Sequence, residues 1–429
     1  MTPKVSVILI SKNVGEYIRE CLQSVIDQTL KDIEILCIDA FSTDGTREVI
    51  NEFASQDNRV SLYDDTKGST GFSNNLGIKL SKGKYIAFVE TDDFIKSNMI
   101  EELYDAAEKY DCDYVKSDYY AFWTTDDGER IFRKRKTFED ENLYNKLVVP
   151  REHIEVATGD WYLWKGLYKK SFLIEDNIRF SETKGAAFQD IGFLHQTTSK
   201  AERALYLPSY HYCYCVDREG SSSNSSKMMR YAWQEFDRLL SISEEDNNVI
   251  DLFYARMAKS FVCCYRGADV HADEDKEDAG IDYKSWFIER LKIGVKDGYL
   301  TENSIPSGLW YKLLRVLYGL THSSLDEVSL VQFIQRKSDA DIAIFGCGSY
   351  GYDAYRKLSG DGFKIRAFID NDNVLWGKSV NGVKIDTPDN ISDYPADMRI
   401  IIANEVYYDE IKEQLLEKGV ARERIYIYE

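Results

Sequence analysis

Three carboxylates in four residues, Glu90-Thr91-Asp92-Asp93, close the apolar run Tyr85–Val89. Two more acids stand in comparable places: Asp39 ends IEILCID, and Asp190 lies in AAFQDIGFLHQ. Between them KGSTGFSNN, residues 67–75, reads as a flexible loop before a helix. Carboxylates brought by two strand ends to one crevice suit a nucleotide held with a divalent cation. Hard cations such as Mg2+ and Mn2+ take oxygen ligands and share them with substrate phosphates. Singly, each feature has a simpler reading. An acidic pair after a strand commonly makes a turn and a helix cap, Asp190 is placed to be an N-cap, and Asp39 could simply start a turn. Together and in this order they favour a site.

The elements that must position these acids alternate along the first hundred residues. VSVILIS is β-branched and apolar, and VGEYIRECLQSVIDQ carries apolar residues at a helical period. IEILCID and TDGTREVINEFASQ repeat the pair, then VSLYD, NNLGIKLSK and YIAFVE. This rhythm predicts an α/β fold with a parallel sheet, whose ligands bind beyond the carboxyl ends of the strands. TTDDGERIFRKRKTFEDEN reads as a surface excursion and REGSSSNSSK, 218–227, as a loop. Residues 228–337 read as helical, and a strand–helix–strand pattern restarts at Asp339.

The 429 residues exceed what one core usually serves. The expected domains are 1–222, an α-helical region at 223–337 and a small Rossmann-like α/β domain at 338–429. The charge, 54 − 73 = −19, argues against a nucleic-acid partner. No window reaches the roughly 18–20 apolar residues of a membrane span, and the N-terminus reads as a first strand. The eight cysteines include no CxxC pair, so reduced thiols in a cytoplasmic protein, or one peripheral to a membrane, are expected.

VSVILISKN, IEILCIDAFSTDGTREVI, GSTGFSNNLGIKLSKGKYIAFVETDDFI and IRFSETKGAAFQDIGF resemble, in sequence and order, the nucleotide-sugar-binding domain of family 2 glycosyltransferases. The resemblance covers roughly residues 3–222 and implies a GT-A type fold, a Rossmann-like mixed sheet. It further implies that Asp39 binds the uracil of a UDP-sugar, that Ile10, Ser11 and Asn13 line the base, and that Asn75 belongs to the nucleotide-sugar site. Asp92 would lie near the ribose or the sugar, Asp93 would ligate Mn2+ or Mg2+, Arg218 would close over the pyrophosphate, and Asp190 would be the catalytic base. The implied activity is inverting transfer of a hexose (glucose, galactose or N-acetylglucosamine) to a surface glycan, glycoprotein glycan or lipid-linked saccharide. The chain departs from the family pattern at Ala40 and Phe41, at Glu90, at Asn74-Asn75, and at Gln189 before Asp190. It also lacks the QxxRW motif of processive synthases.

Other residues leave their readings open. His195 and His211 could add metal ligands or be structural histidines. Trp161, Tyr162 and Trp164 could stack on an acceptor sugar or pack a core. Gly346-Cys347-Gly348-Ser349-Tyr350-Gly351 follows a strand and Asp370 ends the next, the setting of a dinucleotide fingerprint. That segment could be a structural or oligomerisation module, a nucleotide site or a redox centre. Two rivals to a transferase follow: a non-catalytic sugar-nucleotide or glycan-binding subunit, and an NAD-dependent sugar oxidoreductase or epimerase.

Overall fold

The computed structural model describes residues 2–183, 187–216, 228–243, 249–268, 282–318, 341–360, 362–404 and 407–428. It forms two compact units, 1–120 with 134–320, and 121–133 with 321–429.

In the first unit β1 (Val5–Ser11), β2 (Ile33–Asp39), β3 (Val60–Asp64) and β4 (Tyr85–Glu90) alternate with α1 (Ile18–Ile26), α2 (Thr46–Gln56) and α3 (Thr70–Leu80). Along the chain there follow β5 (Phe94–Ile95), α4 (Met99–Tyr110), β6 (Tyr114–Thr124) and β7 (Arg130–Arg135), whose residues 121–133 are assigned to the second unit, and then β8 (Leu147–Val148), α5 (Ile154–Gly159), β9 (Gly166–Lys169), α6 (Lys170–Glu175), α7 (Gln189–Lys200) and β10 (Ala204–Cys215). The sheet runs β3-β2-β1-β4-β9-β6-β10-β5. Its first four strands are parallel, and β9 is antiparallel to both β4 and β6. The mixed α/β sheet expected from the sequence is present. Residues 130–135, read as surface excursion, form β7 against β6.

β1 reads as a continuous apolar run because both of its faces are covered. Val5, Val7 and Leu9 pack with Ile18, Cys21, Leu22 and Val25 of α1 and with Leu103 of α4. Ile8 packs on the other face with Ile78 of α3 and with Phe193 and Leu194 of α7. Burying each such side chain contributes about 1.5–3 kcal/mol. Parallel register then fixes the rim: Ser11 lies beside Asp39, Ile10 beside Glu90, and Asp39 beside Asp64.

The stretch read as a flexible loop before α3 is neither flexible in construction nor all loop. Asp65, almost fully buried, accepts from the backbone N–H groups of Lys67, Gly68 and Ser69 (2.7, 2.8 and 3.1 Å) and from the Ser73 hydroxyl (2.8 Å). Helix α3 therefore begins at Thr70, with Ser69 as its N-cap. Gly71 inside its first turn is required by packing, since a Cβ there would sit 1.7 Å from the Ser181 carbonyl oxygen.

Helices α8 (Met228–Ser243), α9 (Ile250–Ala268), α10 (Tyr283–Lys296) and α11 (Ser307–Tyr318) lie among the described residues that follow β10. They share a core of Phe236, Phe253, Phe261, Phe287 and Leu313 that takes in Ile191 of α7. In the second unit β11 (Ile342–Phe345), α12 (Ser349–Gly360), β12 (Ile365–Ile369), β13 (Ser379–Val380), β14 (Val383–Asp386), β15 (Arg399–Ile402), α13 (Tyr408–Glu417) and β16 (Ile425–Ile427) build a sheet ordered β13-β14-β12-β11-β15-β16. All its pairs except β13–β14 are parallel. No disulfide joins any of the eight cysteines, and no helix among the described residues is long and apolar enough to cross a membrane.

Candidate functional site

Asp39 is fully buried at the end of β2 and already richly partnered. Its Oδ1 accepts from the hydroxyls of Ser11 (2.8 Å) and Ser42 (2.5 Å), and its Oδ2 from the Ser42 backbone N–H and from Arg47 (both 2.9 Å). Burial pushes this carboxyl up, but the donors from Ser42, Arg47 and Ser11 outweigh it and hold the group below the usual carboxylate range. Asn13, at φ +52°, interlocks with the same turn. Its backbone N–H donates to the Ser42 hydroxyl at 2.8 Å, and its side-chain oxygen accepts from Thr43 N–H at 3.0 Å. Ile10, Ser11, Asn13 and Asp39 thus meet as one assembly, with Ser42 and Arg47 as members that sequence reading missed.

The acidic turn is the second assembly. Asp93 N–H closes it on the Glu90 carbonyl at 3.1 Å, and carboxylate oxygens of Glu90, Asp92 and Asp93 lie within 4.8 Å of one another. Asp93 is almost fully buried. Its Oδ2 accepts from the Tyr212 hydroxyl (2.8 Å) and its Oδ1 from the Cys215 N–H (2.7 Å). Burial first, then the charges of Asp92 and Glu90, raise this carboxyl well above its ordinary range, while Cys215 and Tyr212 pull it part of the way back. Three converging carboxylates, one of them driven toward protonation by burial and by its acidic neighbours, make a donor set that fits a hard divalent cation. The Thr91 hydroxyl donates to the Ile10 carbonyl at 3.0 Å and joins the two assemblies across β1.

Tyr212 is held in turn by the aromatic cluster. Its ring stacks on Trp164 with centroids 4.0 Å apart, and Tyr162 stacks on the same indole at 4.7 Å. Trp164 is therefore core, and Trp161 donates its indole N–H to the Thr158 carbonyl at 2.6 Å. Neither histidine joins the acids. His195 is buried against the Ser243 hydroxyl at 3.0 Å, with burial depressing it to about 3, and His211 lies 3.0 Å from Glu102.

Asp190 sits half-buried in the first turn of α7. Burial raises its carboxyl above the ordinary range, against the opposing pull of backbone N–H groups and of the Arg256 charge. Asn75, on α3, holds Phe180 and Glu182 of the segment that precedes α7. Its amide donates to the Phe180 carbonyl (3.0 Å) and to Glu182 (3.2 Å), and its oxygen accepts from Phe180 N–H (3.0 Å). Arg218 lies outside the described residues.

In the second unit Gly346 adopts φ +107°, open to glycine, at the turn from β11. Asp370, where a ribose-binding acid is expected, instead holds its own loop: Oδ2 accepts from Cys347 N–H (2.7 Å) and Oδ1 from Asp372 N–H (3.0 Å).

Residues 6–164 match the family model described as Glycosyl transferase family 2, and residues 338–426 match one described as C2185-like, N-terminal. The glycosyltransferase GlyG of Streptococcus pneumoniae serotype 4 is 31% identical over 219 residues, 50% of this chain and 71% of that protein. The uncharacterised glycosyltransferase EpsJ of Bacillus subtilis is 29% identical over 221 residues, 50% of this chain and 61% of that one. Among solved structures, S. aureus TarS 1-349 in complex with UDP-GlcNAc superposes with a TM-score of 0.54 at 17% identity, over 82% of this chain and 92% of that one. That likeness is one of fold, and it agrees with a GT-A-like mixed sheet.

Proposed function

Because the chain belongs to glycosyl transferase family 2, we propose that it moves a hexose from a UDP-sugar to a hydroxyl of a glycan, glycoprotein or lipid-linked saccharide. The observation that carries this reading is the juxtaposition across β1 of the Asp39 assembly and the Glu90–Asp92–Asp93 turn, joined through Thr91 and Ile10. The first suits a nucleobase and the second a divalent cation shared with a diphosphate. The UDP-GlcNAc bound to the TarS fragment supports uridine as the donor base.

Glu90, Asp92 and Asp93 would hold Mn2+ or Mg2+, which when bound neutralises charge on a departing diphosphate. The chain's own part is positional and protonic. Ile10, Ser11, Asn13 and Asp39 frame the base, with the Asp39 carboxylate kept ionised by its donors. Asp190 takes the acceptor hydroxyl proton on a carboxylate oxygen while the acceptor oxygen bonds to the anomeric carbon and the bond from that carbon to the diphosphate oxygen breaks, UDP leaving with the electron pair. Its raised pKa brings it nearer the operating pH, where a general base contributes typically 10²–10⁴-fold. One base and no sugar bound to the enzyme give inversion at that carbon.

Purified protein is incubated with UDP-glucose, UDP-galactose and UDP-N-acetylglucosamine, with and without EDTA. Chelation-sensitive UDP release with one donor is expected. Absence of release with every donor would leave the non-catalytic binding subunit as the better reading.

A further inference from the structure

Phe41 stands out for combining backbone strain with exposure. Its backbone is at φ +54°, a left-handed conformation that a bulky L-residue reaches only with strain, and it remains 57% exposed. Neither property serves folding: the conformation costs stability, and the ring recovers little by burial. Such outliers persist where surrounding structure over-determines them and where the strained residue is used. Both neighbours of Phe41 are fixed. Ala40 N–H donates to the Ser11 carbonyl at 2.9 Å, and Ser42 is tied to Asp39 through both its N–H and its hydroxyl. The Arg47 guanidinium, itself paired with Asp39 at 2.9 Å, lies 5.6 Å from the ring centroid. The ring is thereby presented at the carboxyl end of β2, two residues from Asp39.

We infer that Phe41 is a donor-contacting residue whose ring stacks on the nucleobase of the sugar nucleotide, a contact that sets affinity for the base. This rests on the donor-site reading above and extends it to a residue at which the chain departs from the family pattern. Every nucleobase offers a flat π-face, and aromatic side chains exploit it at about 1–3 kcal/mol per base, which corresponds to roughly 5- to 150-fold in affinity. Arg47 steadies the ring, and Asp39 fixes the turn that carries it.

The experiment measures UDP and UMP binding by calorimetry, and melting temperature, for wild type, Phe41→Asn and Phe41→Trp. Asparagine tolerates the left-handed conformation but has no ring to offer, so Phe41→Asn should melt no lower than wild type while binding both nucleotides at least fivefold more weakly. Phe41→Trp should restore affinity to within about twofold, since it keeps a π-face. Unchanged nucleotide affinity in Phe41→Asn overturns the assignment, including the case in which only the acceptor KM moves. A wild-type protein that binds no uridine nucleotide would overturn the donor-site reading itself, and the Phe41 contact with it.

Discussion

The Tyr212 hydroxyl donates to Asp93 Oδ2 at 2.8 Å and accepts from the Glu90 N–H at 3.0 Å, so one phenol on β10 clamps both ends of the acidic turn. Removing that hydroxyl with Tyr212→Phe leaves the Trp164 stack in place but strips a donor from a buried carboxylate. A hydrogen bond to a charged group is worth about 1.5–3 kcal/mol, so donor kcat/KM should fall at least tenfold. The acid limb of the pH profile should also move upward, because Tyr212 is one of the groups that lower the Asp93 pKa. Kinetics across pH, with circular dichroism as the control for folding, check both.

Asp93 also predicts a trade of stability for function. Its folded-state carboxyl holds a proton to higher pH than an unfolded aspartate does, for reasons of burial and of the Asp92 and Glu90 charges. Its contribution to stability is therefore complete below the ordinary carboxylate range and is lost as pH rises through the elevated value. At neutral pH in EDTA, Asp93→Asn should melt higher than wild type: its amide oxygen can accept from Cys215, and its NH2 can turn to the Tyr212 oxygen. Mn2+ should raise the wild-type melting temperature, by about 2.7 kcal/mol of stability at a hundredfold excess over Kd, and should leave the variant unmoved. Differential scanning fluorimetry with and without Mn2+ reads both.

The acids at the strand ends were legible in the sequence because parallel strands buried on both faces read as unbroken apolar runs, and the residue ending each run must reach the same rim. What positions them was not legible. Tyr212 lies 119 residues from Asp93 and arrives only because β10 pairs with β5, a tertiary choice with no local signal. Arg47 carries no local signal, being one of several charged residues in TREVINEFASQ. Asp65 was hidden by its neighbours: Gly68 and Gly71 made the segment read as a breaker, whereas its carboxylate gathers the N–H groups that start α3. The aromatic cluster was ambiguous because core and ligand platform share one composition, and Trp164 resolved to core.

Asp39 stands in a different electrostatic class from Asp93. Its donors hold its pKa below that of an unfolded aspartate despite burial, so it contributes stability above the ordinary carboxylate range and loses it as pH falls through the depressed value. Asp39→Asn should lower the melting temperature by several degrees at pH 7, because the Ser11, Ser42 and Arg47 donors lose a charged acceptor, each such hydrogen bond being worth about 1.5–3 kcal/mol, while Arg47 keeps its pair with Asp64. The deficit relative to wild type should shrink toward acid pH. Thermal melts of both proteins over a pH series test the sign.

Asp190→Asn should reduce transfer by about 10²–10⁴-fold while UDP affinity stays within about twofold. Because burial raises the Asp190 carboxyl, the wild-type acid limb of kcat should lie above the ordinary aspartate range. Full turnover in the variant would remove Asp190 as the base.

Asn75 distinguishes positioning from nucleotide contact. Its amide brackets Phe180 through both the N–H and the carbonyl at 3.0 Å, on the segment that leads to Asp190. Asn75→Ala frees that segment without emptying the Asp39 or Asp93 assemblies. The expected signature is a kcat reduced about tenfold with donor Kd unchanged, which corresponds to roughly 1.4 kcal/mol in the transition state. Calorimetric UDP affinity beside steady-state kcat decides it: a loss confined to binding would place the Asn75 side chain against the nucleotide, and a loss confined to turnover places it behind the base.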